Sequence, residues 1–261
     1  MSVHSITKTG IEKHRESTSV EAAIGEVMNL ARRKKRKEDV KQRASQPDSM
    51  YSYCRAVGCP NPARAGTADG LGRLYCRKHH DHYQRHGSLF KPSYKASELN
   101  PLRKAATKWL EENLDDAWVQ SAVAAVKQLY QSAGPHVEAY RLRGLKPRQR
   151  AWAHWARLRT AEVDPVKVVS VWLAVEMVIN SDAQPDWRPE YKRVQAAKVV
   201  HRMASGSHKK WTRDRLDGSG SWTEEMHVYP HSRGRVLRHI GEDLEDACTL
   251  LTQHRLGKIN K

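Results

Sequence analysis

Asp164-Pro165-Val166-Lys167-Val168-Val169-Ser170-Val171-Trp172-Leu173-Ala174-Val175-Glu176-Met177-Val178-Ile179-Asn180-Ser181-Asp182 is the stretch on which the fold class turns. From Val166 to Ile179 the apolar residues follow one another with few breaks, a pattern that a buried strand and a buried helix share. The ends separate the two. Asp164 is a good N-cap, and Pro165 falls in the first turn, where its missing N–H would have had no helical partner. The fourteen residues from Val166 to Ile179 are long for a strand, and Asn180-Ser181-Asp182 supplies a stop. The spacing therefore predicts a helix that is apolar nearly all round and needs other helices to cover it.

Helical pattern with caps extends on both sides. Asn100-Pro101 opens a stripe of Leu102, Ala105, Ala106, Trp109 and Leu110. Asp115 or Asp116 starts the next helix, which carries Trp118, Ala122, Ala125, Val126 and Leu129 until Gly134-Pro135 stops it. Lys146-Pro147 opens a third, with Ala151, Trp152, Trp155 and Leu158 as its apolar face and Arg148, Arg150, Arg157 and Arg159 around it. Beyond Gln184-Pro185-Asp186, a helix from Pro189 to Ala204 presents Tyr191, Val194, Ala197 and Val200. Trp109, Trp118, Trp152, Trp155 and Trp172 read as the core of this bundle.

The segment after Ser205-Gly206 differs in kind. Lys209 to Arg215 and Trp222 to Tyr229 alternate like strands around a Gly-rich loop, which is a hairpin signature. The hairpin resembles the wing of a winged helix, and Lys209, Lys210, Arg213 and Arg215 suit a strand laid along phosphates. Period-two alternation turns Trp211 and Trp222 toward the body. A last amphipathic helix, from about Arg233 to His254, uses Val236, Leu237, Ile240, Leu244, Ala247, Cys248 and Leu251, with Cys248 as a small buried hydrophobe.

Upstream of the bundle, Cys54 and Cys59 precede a sixteen-residue loop, then Cys76 and, three residues on, His79. Thiolate and imidazole donors at this spacing converge on one zinc ion, and the segment from Tyr51 to Lys95 offers only Asp69 and Asp81 as hard ligands. The expected ligands are Cys54, Cys59, Cys76 and His79, with His80 and His82 competing for the fourth place. A closed four-ligand site holds a fold and leaves no position for reacting water. Gly66 to Gly72 is the connecting loop. Arg77, Lys78, Arg85 and Lys91 lie among Tyr83, Phe90 and Tyr94, a mixture suited to phosphate contact and stacking. Tyr83 and Phe90 are also expected to supply the module's miniature core.

The run Cys54-x4-Cys59-Pro-x-Pro-Ala-x-Ala, the Gly-containing loop, Tyr75-Cys76-x2-His79 and the closing Arg85-His86-Gly87 resemble a small zinc-binding module of phage proteins, notably those beside HNH-type endonuclease domains. The resemblance covers about residues 51 to 95. It implies a treble-clef-like or knuckle module that touches DNA in a phage or mobile-element setting. His80 stands where an aromatic commonly follows the metal-binding His. The ββα hairpin with the further His that HNH catalysis needs is not found outside this segment.

Forty-six Lys and Arg against twenty-nine Asp and Glu give a net charge of +17, which points to an acidic partner. Arg32, Arg33, Lys34, Lys35, Arg36 and Lys37 form an unbroken cationic run after an apolar helical pattern from Ser19 to Leu30, an arm suited to phosphates. No apolar run is long enough for a membrane span, and no export signal is found, so the thiols are expected reduced in a cytoplasmic protein, nucleoid-associated in bacteria or phage and nuclear in a eukaryote.

The expected architecture is mainly α: a basic arm (1–50), a zinc module (51–95), a helical bundle (96–184), and a helix, wing-like hairpin and terminal helix packing on it (185–261). The expected function is binding of nucleic acid, DNA in preference to RNA, as a regulator or as a replication or recombination accessory factor. A metal-dependent HNH-type nuclease and an RNA-associated scaffold are the alternatives. Neither a phosphate-binding Gly loop nor a Ser nucleophile elbow is present.

Overall fold

A computed structural model describes residues 28–42, 45, 53–64, 73–216, 218–232 and 234–259. Most of the helical pattern expected between Ser19 and Leu30, and the loop from Gly66 to Gly72, lie outside these residues. The chain divides into two compact units, residues 1–80 and 81–261. In the first, residues 28–42 form helix α1. Helix α2, Arg77–His86, runs across the point of division. The second unit contains α3 (Ala96–Glu112), α4 (Ala117–Ser132), a 3-10 segment (Ala139–Gly144), α5 (Pro147–Thr160), α6 (Pro165–Ser181), α7 (Pro189–His201), strands β1 (Ser207–Asp214) and β2 (Ser221–Val228), and α8 (Arg235–Ile259). The protein is mainly α with one antiparallel hairpin.

The helix α6 is the axis of the second unit. The Asp164 carboxylate accepts from Val166 N–H at 2.9 Å, Pro165 occupies the first turn, and every residue from Val168 to Ile179 is buried. α3, α4, α7 and α8 pack around it, and one apolar cluster runs from Leu99 to Leu251. Each large aliphatic side chain withdrawn from water there contributes about 1.5–3 kcal/mol, which outweighs the modest helix propensity of a Val-rich segment. Capping follows the sequence in α4 as well, where Asp116 accepts from Trp118 N–H at 2.9 Å.

Two expectations fail for physical reasons. Helix α3 begins at Ala96, not at Asn100, and contains Pro101. The Glu98 carboxylate accepts from the Lys95 N–H at 2.5 Å, so the entry is capped from the third position, and Pro101 withdraws a donor only from the exposed first turns. Leu99, Ala106 and Leu110 are the buried positions, while Ala105 faces solvent. Trp152 is the second failure. It is 47 % exposed, with the Arg148 guanidinium 5.6 Å above its ring. Helix α5 is buried on two sides, because Ala153, His154 and Arg157 are enclosed as well as Ala151, Trp155 and Leu158. Successive residues turn by about 100°, and Trp152 falls on the strip left outside.

Close backbone approaches set the packing of α7. A side chain at Gly241 would meet the Arg193 carbonyl oxygen at 2.5 Å, so only glycine lets α8 cross there. Gly87 ends α2 with φ of 75°, and a Cβ there would lie 2.9 Å from the Glu190 carbonyl oxygen.

The hairpin pairs Ser207 with Val228 at its base and Asp214 with Ser221 near its tip. Its base is tied to the 3-10 segment by the Ala139 N–H, which donates to the buried Ser207 hydroxyl at 2.7 Å. Toward the tip the burial fades: Trp211 is half-buried and Trp222 is 39 % exposed. The two tryptophans share one face of the hairpin, as alternation requires, but that face leaves the body before it reaches Trp222. No helix among the described residues is long and apolar enough to cross a membrane.

Candidate metal centre

Residues 53–64 form a tight loop. Tyr53 bridges to Pro62, the Cys54 N–H donates to the Asn61 carbonyl at 2.9 Å, and the Cys59 N–H donates to the Ala56 carbonyl at 3.0 Å. The last bond closes a turn through Gly58, whose φ of 73° is costly for any side chain. Two cross-links join the loop to the segment before α2: Arg55 N–H to Leu74 O at 2.8 Å and Arg64 N–H to Tyr75 O at 3.2 Å. Cys76 stands immediately before α2, and His79 lies in its first turn.

This scaffold brings the sulfurs of Cys54, Cys59 and Cys76 and a ring nitrogen of His79 within 4.8 Å of one another. The His79 Nδ1 lies 3.4 Å from Cys54 Sγ and 3.3 Å from Cys76 Sγ, and Cys59 Sγ lies 3.9 Å from Cys76 Sγ. Ligands about 2.3 Å from a tetrahedral ion stand about 3.8 Å apart, so these three edges are close to what a single metal ion between the four groups requires. Three thiols and one imidazole, without a carboxylate, suit a soft or borderline-soft cation.

The competition for the fourth place is resolved by direction. His80 turns to Arg64, with 3.0 Å between Nη1 and Nδ1, and His82 meets the Ser88 carbonyl at 2.8 Å. Backbone amides tune the sulfurs: hydrogen bonding from Asn61, first through its N–H, holds the Cys59 thiol below the ordinary range, while burial pushes Cys54 up. The Asn61 side-chain amide also lies 3.5 Å from Cys59 Sγ.

Among the described residues the module's apolar cluster consists of Cys54, Ala56 and Cys76, with Cys59 and Tyr75 against them. Tyr83 and Phe90 do not supply it. The Tyr83 hydroxyl donates to Glu190, with the Arg238 guanidinium 5.1 Å from its ring, and Phe90 is 59 % exposed.

The expected nucleic-acid contacts divide into three settings. Arg32 to Lys37 lie exposed on α1, and Arg77, Lys78 and Arg85 lie exposed on α2. Lys91 is half-buried in an ion pair with Asp182 at 2.5 Å. On β1, Lys209 lies 3.0 Å from the Tyr140 hydroxyl and 3.8 Å from Glu138, Lys210 faces Glu225 at 3.1 Å, and Arg213 faces Glu224 at 3.4 Å; just past the strand, Arg215 approaches the Ser219 hydroxyl at 3.4 Å.

One group of residues was hidden in the sequence. His154, Arg157 and His201 are buried together, although Arg157 reads there as one of several surface cations on α5. The signal for it was its place between Ala156 and Leu158, both core positions.

No protein-family model, curated protein or solved structure matches this chain.

Proposed function

We propose that the chain is a zinc-holding protein that binds nucleic acid, double-stranded DNA in preference to RNA, as a regulator or as an accessory factor in replication or recombination. The observation that carries this reading is the exposed run from Arg32 to Lys37 on α1 in a chain of net charge +17. Six successive cations on a helix turn through more than a full circle, so some face an approaching phosphate backbone in any orientation. Zinc is the ion that best fits three thiolates and an imidazole at tetrahedral spacing, and a closed site of this kind stabilises a fold with a small core. In this reading the ion is structural, held by Cys54, Cys59, Cys76 and His79, and the module presents Arg77 and Lys78 at the start of α2. The wing role of the hairpin has less support, since Lys209, Lys210 and Arg213 on β1 already face carboxylates.

The test is binding of labelled duplex DNA across a salt series. Affinity should fall steeply with salt, and neutralising Arg32 to Lys37 should weaken binding to all sequences alike while flattening the salt slope by about 0.9 for each phosphate no longer neutralised. An unchanged slope in that variant would overturn the reading. Nicking of plasmid on addition of Mg²⁺ or Mn²⁺ would replace it with a nuclease, and copurifying nucleic acid that yields only to RNase would replace it with an RNA partner.

A further inference from the structure

Between the 3-10 segment, α5, the end of α7 and the base of the hairpin lies a cavity of about 350 Å³. Arg143, Arg150, Arg157, His154, His201 and His231 line it together with apolar and aromatic walls that include Tyr140 and Tyr229, and among the described residues no Asp or Glu does. Glu138, just before the 3-10 segment, accepts from the Ser207 hydroxyl and faces Lys209.

Two of the lining residues are withdrawn from solvent without being satisfied. Arg157 is 5 % exposed and His154 is 1 % exposed. Arg157 Nη2 lies 2.8 Å from His154 Nδ1. Because a guanidinium only donates, His154 Nδ1 accepts, and the proton of the neutral ring therefore sits on Nε2. That Nε2–H and the Arg157 Nε–H are both buried with no acceptor among the described residues. No carboxylate among the described residues lies within ion-pair distance of Arg157. His201 stacks on His154 with ring centroids 5.0 Å apart and adds no acceptor for these donors. Burial lowers Arg157 to about 10, His201 to about 3 and His154 well below its ordinary value, so near neutrality the Arg157 guanidinium is charged beside the neutral rings of His154 and His201.

A buried cation without a counter-charge and two orphaned donors call for a ligand that is anionic and rich in acceptors. Water supplies acceptors but no charge. A carboxylate from the chain would have served, and none lines the cavity among the described residues. We propose that this cavity is a binding site for a phosphate monoester, with the phosphoryl oxygens turned to Arg157 and His154, Arg143 at the rim, and the remainder of the ligand against Tyr140 and Tyr229. Phosphoryl oxygens accept several charge-assisted bonds from guanidinium groups, and a flat heterocycle suits the aromatic walls. The ester has two sources, a free mononucleotide and the phosphorylated end of a strand. The inference stands apart from the role of α1, which belongs to the other unit.

The experiment is calorimetric titration of the full chain with adenosine 5′-monophosphate, adenosine, and short single strands bearing a 5′-phosphate or a 5′-hydroxyl. Adenosine monophosphate should bind and adenosine should not, or the 5′-phosphorylated strand should bind more tightly than its hydroxyl counterpart. The first result identifies a free nucleotide and the second a strand end, and either supports the site. Arg157→Gln should abolish this binding. Since that variant also alters the interior, Arg143→Gln and Tyr229→Ala, at exposed wall positions, are measured beside it, and Arg143→Gln should weaken the phosphorylated probe about tenfold. Neutralising Arg32 to Lys37 should leave the phosphate-dependent difference in place. Failure of both phosphorylated probes to bind would overturn the proposal, as would binding that survives both Arg143→Gln and Arg157→Gln in folded protein.

Discussion

The indole N–H of Trp155 donates to the Oδ2 of Asp243 at 2.8 Å, joining α5 to α8 inside the core, and Arg148 Nη1 reaches the other carboxylate oxygen at 2.7 Å. Burial pushes the Asp243 carboxyl above its ordinary range, and these two donors oppose that shift. Removing the acceptor leaves a buried indole N–H unsatisfied, so Asp243→Ala should destabilise the second unit by about 2–4 kcal/mol in urea unfolding. The pH dependence has a definite sign. Between the unfolded carboxyl value and the raised folded one, the native state holds more protons than the unfolded state, so this group makes stability fall as pH rises through that window. Asp243→Asn should remove that contribution, and an unchanged profile would refute it.

Asp182 carries the opposite sign. Hydrogen bonds from Lys91 and Tyr94 hold its carboxyl at about 2, with the Tyr94 hydroxyl 2.6 Å from Oδ2. A depressed folded value contributes stability above the unfolded value of about 3.9, and that stability is lost as pH falls from there toward about 2. After allowance for partial solvent screening the contribution is about 1–2 kcal/mol. Asp182→Asn should cost that amount near neutrality and cost nothing below both values. Chemical unfolding at a series of pH values reads the difference.

The helical body was legible because its signals are local. Asp164-Pro165 and Lys146-Pro147 mark helix starts by chemistry that acts within one turn, and the spacing of Val126, Leu244 or Cys248 reports a face directly. The four donors of the metal centre were legible for the same reason, since thiols clustered so closely in an otherwise Cys-poor chain are the pattern of a metal site. What the sequence did not disclose depends on the third dimension. Trp152 and Arg157 exchange the places their residue types suggest, because α5 is enclosed on two sides and a one-face reading assigns only one. Tyr83 looks like part of the metal module by proximity in sequence, yet its hydroxyl goes to Glu190, more than a hundred residues away.

Metal content follows from the ligand geometry. Freshly purified protein should carry one zinc per chain by elemental analysis, and Cys59→Ala or Cys76→Ala should lose it. Among the described residues the module's apolar cluster is Cys54, Ala56 and Cys76 with two partly buried neighbours, so these variants should unfold it. Residues 96–259 have a separate core around α6, and the helical circular dichroism should persist. His79→Ala should behave as the cysteine variants do, while His80→Ala and His82→Ala should retain the metal. Protein that arrives with four free thiols and no metal would contradict the assignment.

The hairpin gives the last test, and one carboxylate organises it. Glu224 accepts from both indoles, Trp211 Nε1 at 2.7 Å and Trp222 Nε1 at 3.1 Å, and it lies opposite Trp211 in the register. Since Trp222 is 39 % exposed and Trp211 only half-buried, Trp211→Ala should cost about 1 kcal/mol, far less than loss of a core tryptophan such as Trp155. Replacing Lys209, Lys210, Arg213 and Arg215 with Ser should leave the unfolding midpoint nearly unchanged, because exposed ion pairs contribute little. To hold phosphates these cations must leave Glu138, Glu225 and Glu224, so the loss of duplex affinity should be smaller than that from neutralising Arg32 to Lys37. Fluorescence anisotropy on the two variants under the same salt measures the order. If the Ser variant instead binds as well as the parent while Trp211→Ala, still folded, loses binding, the hairpin acts through stacking on unpaired bases, and single-stranded nucleic acid replaces duplex DNA as the partner.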